Sequence, residues 1–248
     1  MNKYELTSET LNYAGRTFHR IKALKDFGYV NAGDLGGWIV KEDNLSQQGT
    51  AWVFGEAKVC DNARVDDDAT IHDEACLCCN ARVFGHAKVY DDAVIHDSAQ
   101  VYDCATVLRK ARILNNVKIH DNAYISGCAE ISDNADIYGN ANIYDEALVS
   151  NAAIIYDAEV YGNTHIIGDA IIGDNNDYIT FKNFWSSGRY FTWTRSNNMW
   201  SVGCFYGTGE ELIKKAYADS EKSSREYERV VRYVESILAD EKKLKENN

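Results

Sequence analysis

A small residue recurs at every sixth position, from Ala51, Ala57 and Ala63 through to Ala153, with Val117 the single departure among eighteen. Two residues after each stands an aliphatic, running from Val53, Val59, Val65 and Ile71 to Val149 and Ile155, and only Leu77 lacks a β-branch. Residues two apart face the same side of a strand. The residues that follow include an Asp, Asn or Gly in almost every hexad, and these accept the left-handed backbone of a corner. Strand, corner, strand: the chain is predicted to wind. Three hexads close a triangular coil of 18 residues. Stacking such coils about 4.8 Å apart pairs their backbones in parallel, with the small and branched side chains filling the axis. The phase extends back through Leu45 to Ile39, slips by one residue at Ile155-Tyr156-Asp157-Ala158, and resumes as Ala158/Val160, Thr164/Ile166 and Ala170/Ile172. Residues 39–175 thus predict about seven and a half coils, roughly 35 Å of height.

The pattern changes on either side. Residues 1–38 precede the repeat as an amino-terminal cap, and residues 176–248 form an appendage in which aromatic residues crowd together. Tyr178-Ile179-Thr180-Phe181, Tyr190-Phe191-Thr192-Trp193-Thr194 and Met199-Trp200-Ser201-Val202 predict three antiparallel strands, joined by turns at Ser186-Ser187-Gly188 and Ser196-Asn197-Asn198. Thr208-Gly209-Glu210-Glu211 predicts a capping box that starts a helix. Tyr227, Val230, Val231, Val234, Ile237 and Leu238 mark the apolar face of a second helix, to pack on the small sheet or to form a seam between subunits. The polar segment from Glu241 to Asn248 is expected to fray.

Composition narrows the classes of function. The 248 residues carry 38 acidic and 26 basic side chains, a formal charge of −12. That balance disfavours nonspecific binding to nucleic acid or to an anionic membrane, both of which need a cationic footprint. Pro is absent where average usage predicts roughly a dozen, so every backbone N–H is open to a ladder. No apolar run reaches the length of a membrane span and Met1–Thr7 lacks the apolar stretch of a signal peptide, which sets a cytoplasmic expectation. Seven Cys spread through the repeat suit reduced thiols better than a disulfide framework.

The hexad Ile137-Tyr138-Gly139-Asn140-Ala141-Asn142 resembles the repeat of left-handed parallel β-helix proteins, a superfamily that includes trimeric acyltransferases and γ-class carbonic anhydrases. The left hand is implied only by that resemblance, since parallel crossovers are ordinarily right-handed. The stretches His19–Gly28, Ala32–Ile39 and Asn44-Leu45-Ser46, together with Gly203–Thr208, resemble the ends of uncharacterised hexapeptide-repeat proteins common in phages and prophages. The implied fold is mainly β: a left-handed parallel β-helix with a small carboxy-terminal α+β domain, assembled as a homotrimer in a bacterial host cell.

Candidate chemistry is sparse. His72, His96 and His120 follow inward aliphatics and so face outward, and their spacing of 24 puts each on a different face, which excludes an intrachain three-His metal site; they read as ordinary exposed His, or as ligands of a set completed across a trimer interface. For His86 at a corner, and for His165, the sequence alone points to no partner. Cys76 and Cys78 share one side of a strand, Cys79 falls at a corner, and no second pair follows at zinc-ribbon spacing; these read as thiols tolerated in a regular coil, with no metal expected. Arg109, Lys110, Arg112 and Lys118 interrupt the acidic corners. They are placed to form salt-bridge ladders with Asp91, Asp92, Glu130 and Asp136 on neighbouring coils, or a basic groove for an anionic small molecule. Phe54, Tyr90 and Tyr144 share one face, and Phe84, Tyr102, Tyr138 and Tyr156 another that suits subunit packing. In the appendage Arg189, Trp193, Arg195, Trp200 and Tyr206 combine flat rings with cations. They read either as core aromatics or as a sandwich for a base and its phosphate.

The repeat runs from 51 to 155 without the long insertion that acyltransferases of this fold use, and no nucleophile, base and anion hole can be assembled from it. The functional expectation is a noncatalytic phage or prophage protein that sequesters a small anionic ligand, a nucleotide-type host immune signal, with no cofactor. Arg189, Trp193, Arg195, Trp200, Tyr206, Arg109, Lys110 and His120 are its candidate ligand contacts. A structural or protein-interaction module and a hexapeptide-repeat acyltransferase are the alternatives.

Overall fold

In the computed structural model, residues 2–183, 188–219 and 221–246 are described. Contacts divide the chain into two units, Met1–Asn175 and Asn176–Asn248.

The first unit is a parallel β-solenoid of about eight turns. Each rung is a strand of two or three residues, and the rungs stack into three faces. Face 1 contains Lys58–Val59, Cys76–Leu77 and Val94–Ile95, face 2 contains Trp52–Val53, Thr70–Ile71 and Lys88–Val89, and face 3 contains Arg64–Val65, Arg82–Val83 and Gln100–Val101. Register advances by 18 residues per turn, as in Lys88↔Thr106 and Val94↔Arg112. After the slip it advances by 17: Asn142 pairs with Glu159 and Ile154 with Ile171. The predicted axis is the core, with Ala51 through Ala153 and Val53 through Ile155 wholly buried. Burying each branched aliphatic contributes about 1.5–3 kcal/mol, before the entropy of ordering it. Thr164 takes an Ala position in the axis, and its hydroxyl donates to the Tyr161 carbonyl at 2.7 Å, which meets the cost of burying it.

The corners explain the acidic composition. Every sixth residue from Gly49 to Asp157 has positive φ, and most of these residues are Asp, Asn or Gly. The corner carboxylates also link the turns. Asp67 accepts from the Gly85 N–H, Asp103 from Asp121 and Asp121 from Gly139, each one turn further along. Much of the excess of Asp is therefore structural: a short acceptor that tolerates the left-handed region and satisfies an N–H of the next coil.

The cap extends face 1 with antiparallel strands: β1 (Tyr4–Tyr13) pairs with β2 (Arg16–Ala23), and β2 with β3 (Leu35–Ile39). β3 then pairs in parallel with Lys58–Val59, the next rung of face 1. Gly37 in β3 lies so close to the first turn that a Cβ would stand 2.6 Å from the Ala57 carbonyl oxygen. At this end Lys3 is buried, donating to the Gln48 and Ala51 carbonyls, and burial pushes its ammonium down to about 8.

The second unit is an antiparallel sheet followed by two helices. The three predicted strands are present and a fourth, Phe205–Gly207, joins them. The predicted turn at Ser186-Ser187 lies outside the described residues. Thr208 and Glu211 form the capping box that starts α1 (Gly209–Asp219). In α2 (Glu221–Glu246), Tyr227, Val230, Val231 and Val234 pack with Leu212, Ile213 and the sheet residues Phe191, Trp193, Trp200 and Val202. The apolar face of α2 is thus covered within the chain. The helix also continues past Glu241, where fraying was expected, and Glu241 is clamped by Arg195 at 2.7 and 3.1 Å.

Candidate functional site

The outward positions of the solenoid stack one turn above another, about 4.8 Å apart, which is the spacing at which flat rings meet face to face. On face 2, Phe54, His72 and Tyr90 form such a stack, with centroids 4.4 and 4.5 Å apart. On face 3, Phe84, Tyr102, His120, Tyr138 and Tyr156 form a continuous column with spacings of 4.8 to 5.3 Å. The Phe and Tyr residues share faces as the period predicts, and His72 and His120 join them. Both are rungs of these columns, a role that the 18-residue offset from Phe54 and from Tyr102 could have revealed.

Beside the face 2 stack, the cap loop at Gly28, Tyr29 and Val30 rises over the solenoid surface and leaves a groove of about 420 Å³. The edges of Phe54, His72 and Tyr90 line it, with Thr50, Thr70, His86, Lys88 and Asp68 around them. Tyr29 is 100% exposed, so both faces of its ring are open. Asp68 is held by the Thr50 hydroxyl and N–H at 2.7 and 3.0 Å, bonds that keep its carboxyl below the usual range, and its other oxygen lies 3.6 Å from His86. Burial lowers the pKa of His72, so the floor of the groove is neutral at pH 7. An apolar floor, an open aromatic and convergent polar groups in a volume of this size are the ordinary makings of a small-molecule site.

The residues expected from sequence to contact ligand do not converge. Arg109 and Lys110 are exposed at the corner between faces 2 and 1, while His120 is on face 3 between Tyr102 and Tyr138. Successive hexads belong to successive faces, so 11 residues of separation cannot bring Arg109 and His120 together. The salt-bridge ladder is also only partial. Arg112 meets Glu130 at 2.8 Å, but Asp136 pairs with His120 at 3.1 Å rather than with Lys118, and Asp91 accepts the Arg109 backbone N–H rather than its guanidinium.

In the second unit Trp193 and Trp200 are buried in the core, so their ring faces are taken up by packing, and the Trp193 indole N–H donates to Asn198. Arg195 is bound to Glu241, and the Tyr206 hydroxyl accepts from Asn197. Arg189 lines a small cavity of about 40 Å³ with Cys204, Phe205 and Lys215, too small for a nucleotide.

On face 1, Cys60, Cys76, Cys78, Cys79 and His96 gather around the second and third turns. Cys79 Sγ lies 3.7 Å from His96 Nε2, so a thiol expected to be merely tolerated and an outward His on the next turn meet. A hydrogen bond from Cys78 lowers the pKa of the Cys76 thiol, helped by the positive field of Lys58 and of nearby basic groups.

Among the described residues no helix is long and apolar enough to cross a membrane. No protein-family model matches this chain, and a comparison with curated proteins finds no match for it.

Proposed function

We propose that this chain is a noncatalytic binding protein that captures a small anionic ligand carrying a flat ring, of nucleotide type, in the groove beneath Tyr29. The supporting observation is the pairing of an open aromatic with an apolar floor. The ligand ring lies between Tyr29 and the edges of Phe54, His72 and Tyr90, the Lys88 ammonium meets its anionic group, and Asp68 accepts from a hydroxyl. A rigid solenoid suits capture, because little entropy is lost when the groove is already formed. The rungs between Trp52 and Val149 run without an inserted loop, which fits retention of the ligand better than acyl transfer. This reading carries with it a left-handed coil, a phage or prophage origin and capture of a host immune signal.

Thermal shift and equilibrium dialysis against linear and cyclic nucleotides test the proposal. At least one nucleotide should bind and be recovered unchanged after denaturation. Tyr29→Ala and Lys88→Ala should weaken binding more than about tenfold, a loss of about 1.4 kcal/mol, while Arg109→Ala and Arg189→Ala should not. Binding by none, or recovery of an altered molecule, overturns it.

A second reading, a homotrimer that acts through protein contacts, rests on the half-exposed column from Phe84 to Tyr156, a continuous aromatic stripe along face 3. Light scattering that gives a monomer mass, unchanged by Tyr102→Ala, would remove it.

A further inference from the structure

The Cys and His residues of face 1 meet as a potential donor set. The Sγ atoms of Cys78 and Cys79 and a ring nitrogen of His96 all lie within 4.8 Å of one another. The Cys79 Sγ to His96 Nε2 separation of 3.7 Å is close to the edge of a tetrahedron built on a 2.3 Å metal–sulfur and a 2.0 Å metal–nitrogen bond, about 3.5 Å. The other ring nitrogen of His96, Nδ1, lies 2.8 Å from the Asp97 carboxylate. That contact fixes the ring and its tautomer, leaving the Nε2 lone pair directed at the thiol, as the outer carboxylates of metal-bound histidines do.

The backbone supplies an independent observation. Cys79 stands at a corner with φ 61°, a conformation that its own corner column otherwise gives to Asp61, Asp97, Asn115, Asp133, Asn151 and Gly168. In this column each side-chain acceptor takes an N–H one turn on: Asp61 from Cys79, Asp97 from Asn115, Asn115 from Asp133 and Asp133 from Asn151. A thiol has no carboxylate to offer, and among the described residues the step from Cys79 to Asp97 carries no such bond. Cys79 therefore accepts left-handed strain and forfeits a ladder bond that Asp would supply.

We propose that Cys78, Cys79 and His96 bind a thiophilic divalent cation of the zinc type, with Asp97 as the positioning residue for His96. Two thiols and a neutral imidazole fill three tetrahedral positions and water takes the fourth. The two thiol protons leave to solvent on binding, so the bound dication is neutralised by two thiolates and the affinity rises with pH.

Cobalt(II) titration of the reduced full-length chain tests this. One equivalent should bind with the visible ligand-field bands of a tetrahedral thiolate site and be displaced by zinc. Cys79→Asn keeps a corner residue that the solenoid already uses at Asn115, so the chain should fold while affinity drops by more than about tenfold; Asp97→Asn should weaken binding about tenfold. Cys104→Ser, an exposed thiol elsewhere in the solenoid, should leave it unchanged. Absence of tetrahedral bands, or cobalt binding by the Cys79→Asn chain equal to that of the parent, overturns the assignment.

Discussion

The ring of Tyr156 occupies the space that a Cβ on Gly173 would need, with its Cζ and Oη only 2.4 Å from that position. Gly173 is the residue one turn beyond Tyr156 on face 3, where the aromatic column would otherwise continue. The column thus ends by laying its last ring over a glycine. Gly173→Ala should displace that ring and destabilise the chain by about 1–3 kcal/mol, the usual cost of forcing a methyl into packed space. Gly162→Ala, with nothing within 4 Å of its Cβ, meets only backbone strain. Denaturation midpoints of the two variants, together with the loss or retention of near-ultraviolet dichroism from the column, separate the two effects.

His72 should make the solenoid sensitive to acid. Burial holds its folded pKa below the ordinary 6.5. As pH falls through 6.5 the unfolded chain takes up a proton that the folded chain resists, so stability falls on acidification and rises with pH across that window. His72→Phe keeps a ring between Phe54 and Tyr90 while removing the titration. Urea midpoints of the variant and the parent should converge at pH 7.5 and diverge at pH 5, with the variant the more stable; equal pH dependence would refute the effect.

Arg109 has φ 60° at a corner where other turns place Asp or Gly, and its contribution to the ladder is a backbone N–H given to Asp91. Arg109→Asn keeps that donor and relieves the left-handed strain. The variant should be more stable by about 0.5–1 kcal/mol. A lower melting temperature would instead show that the guanidinium makes a stabilising contact.

Trp193 is a core residue, and Trp193→Ala should cost about 3–5 kcal/mol. Trp193→Phe should retain most of the packing while losing the N–H donated to Asn198. If nucleotide binding survives in Trp193→Phe and disappears in Trp193→Ala together with the melting transition, the tryptophan holds the second unit together rather than holding ligand.

How much was legible in advance follows from the range of each interaction. The alternation at Ala105 and Val107, repeated every six residues, fixed the strand, the corner, the inward side and the one-residue slip, because each depends on neighbours within a few bonds. The capping box at Thr208 and the apolar stripe of α2 were readable for the same reason. Burial of Trp193 and Trp200 was not: a small sheet exposes one face and covers the other, and only the packing of α1 and α2 decides which.

The two proposed sites lie at the same limit. The winding brings Cys79 to His96 and His72 to Phe54 by stacking turns, an operation the period predicts. Yet the direction of a corner thiol, and whether a cap loop such as Gly28–Val30 stands clear of the surface, are set by contacts made once the turns are stacked. By itself the sequence determined the coil, its phase and its interior, since a periodic backbone repeats whatever one unit prefers. Only the tertiary structure decided which outward side chains meet, because side-chain direction at a corner and the course of an aperiodic loop depend on neighbours far apart in the chain.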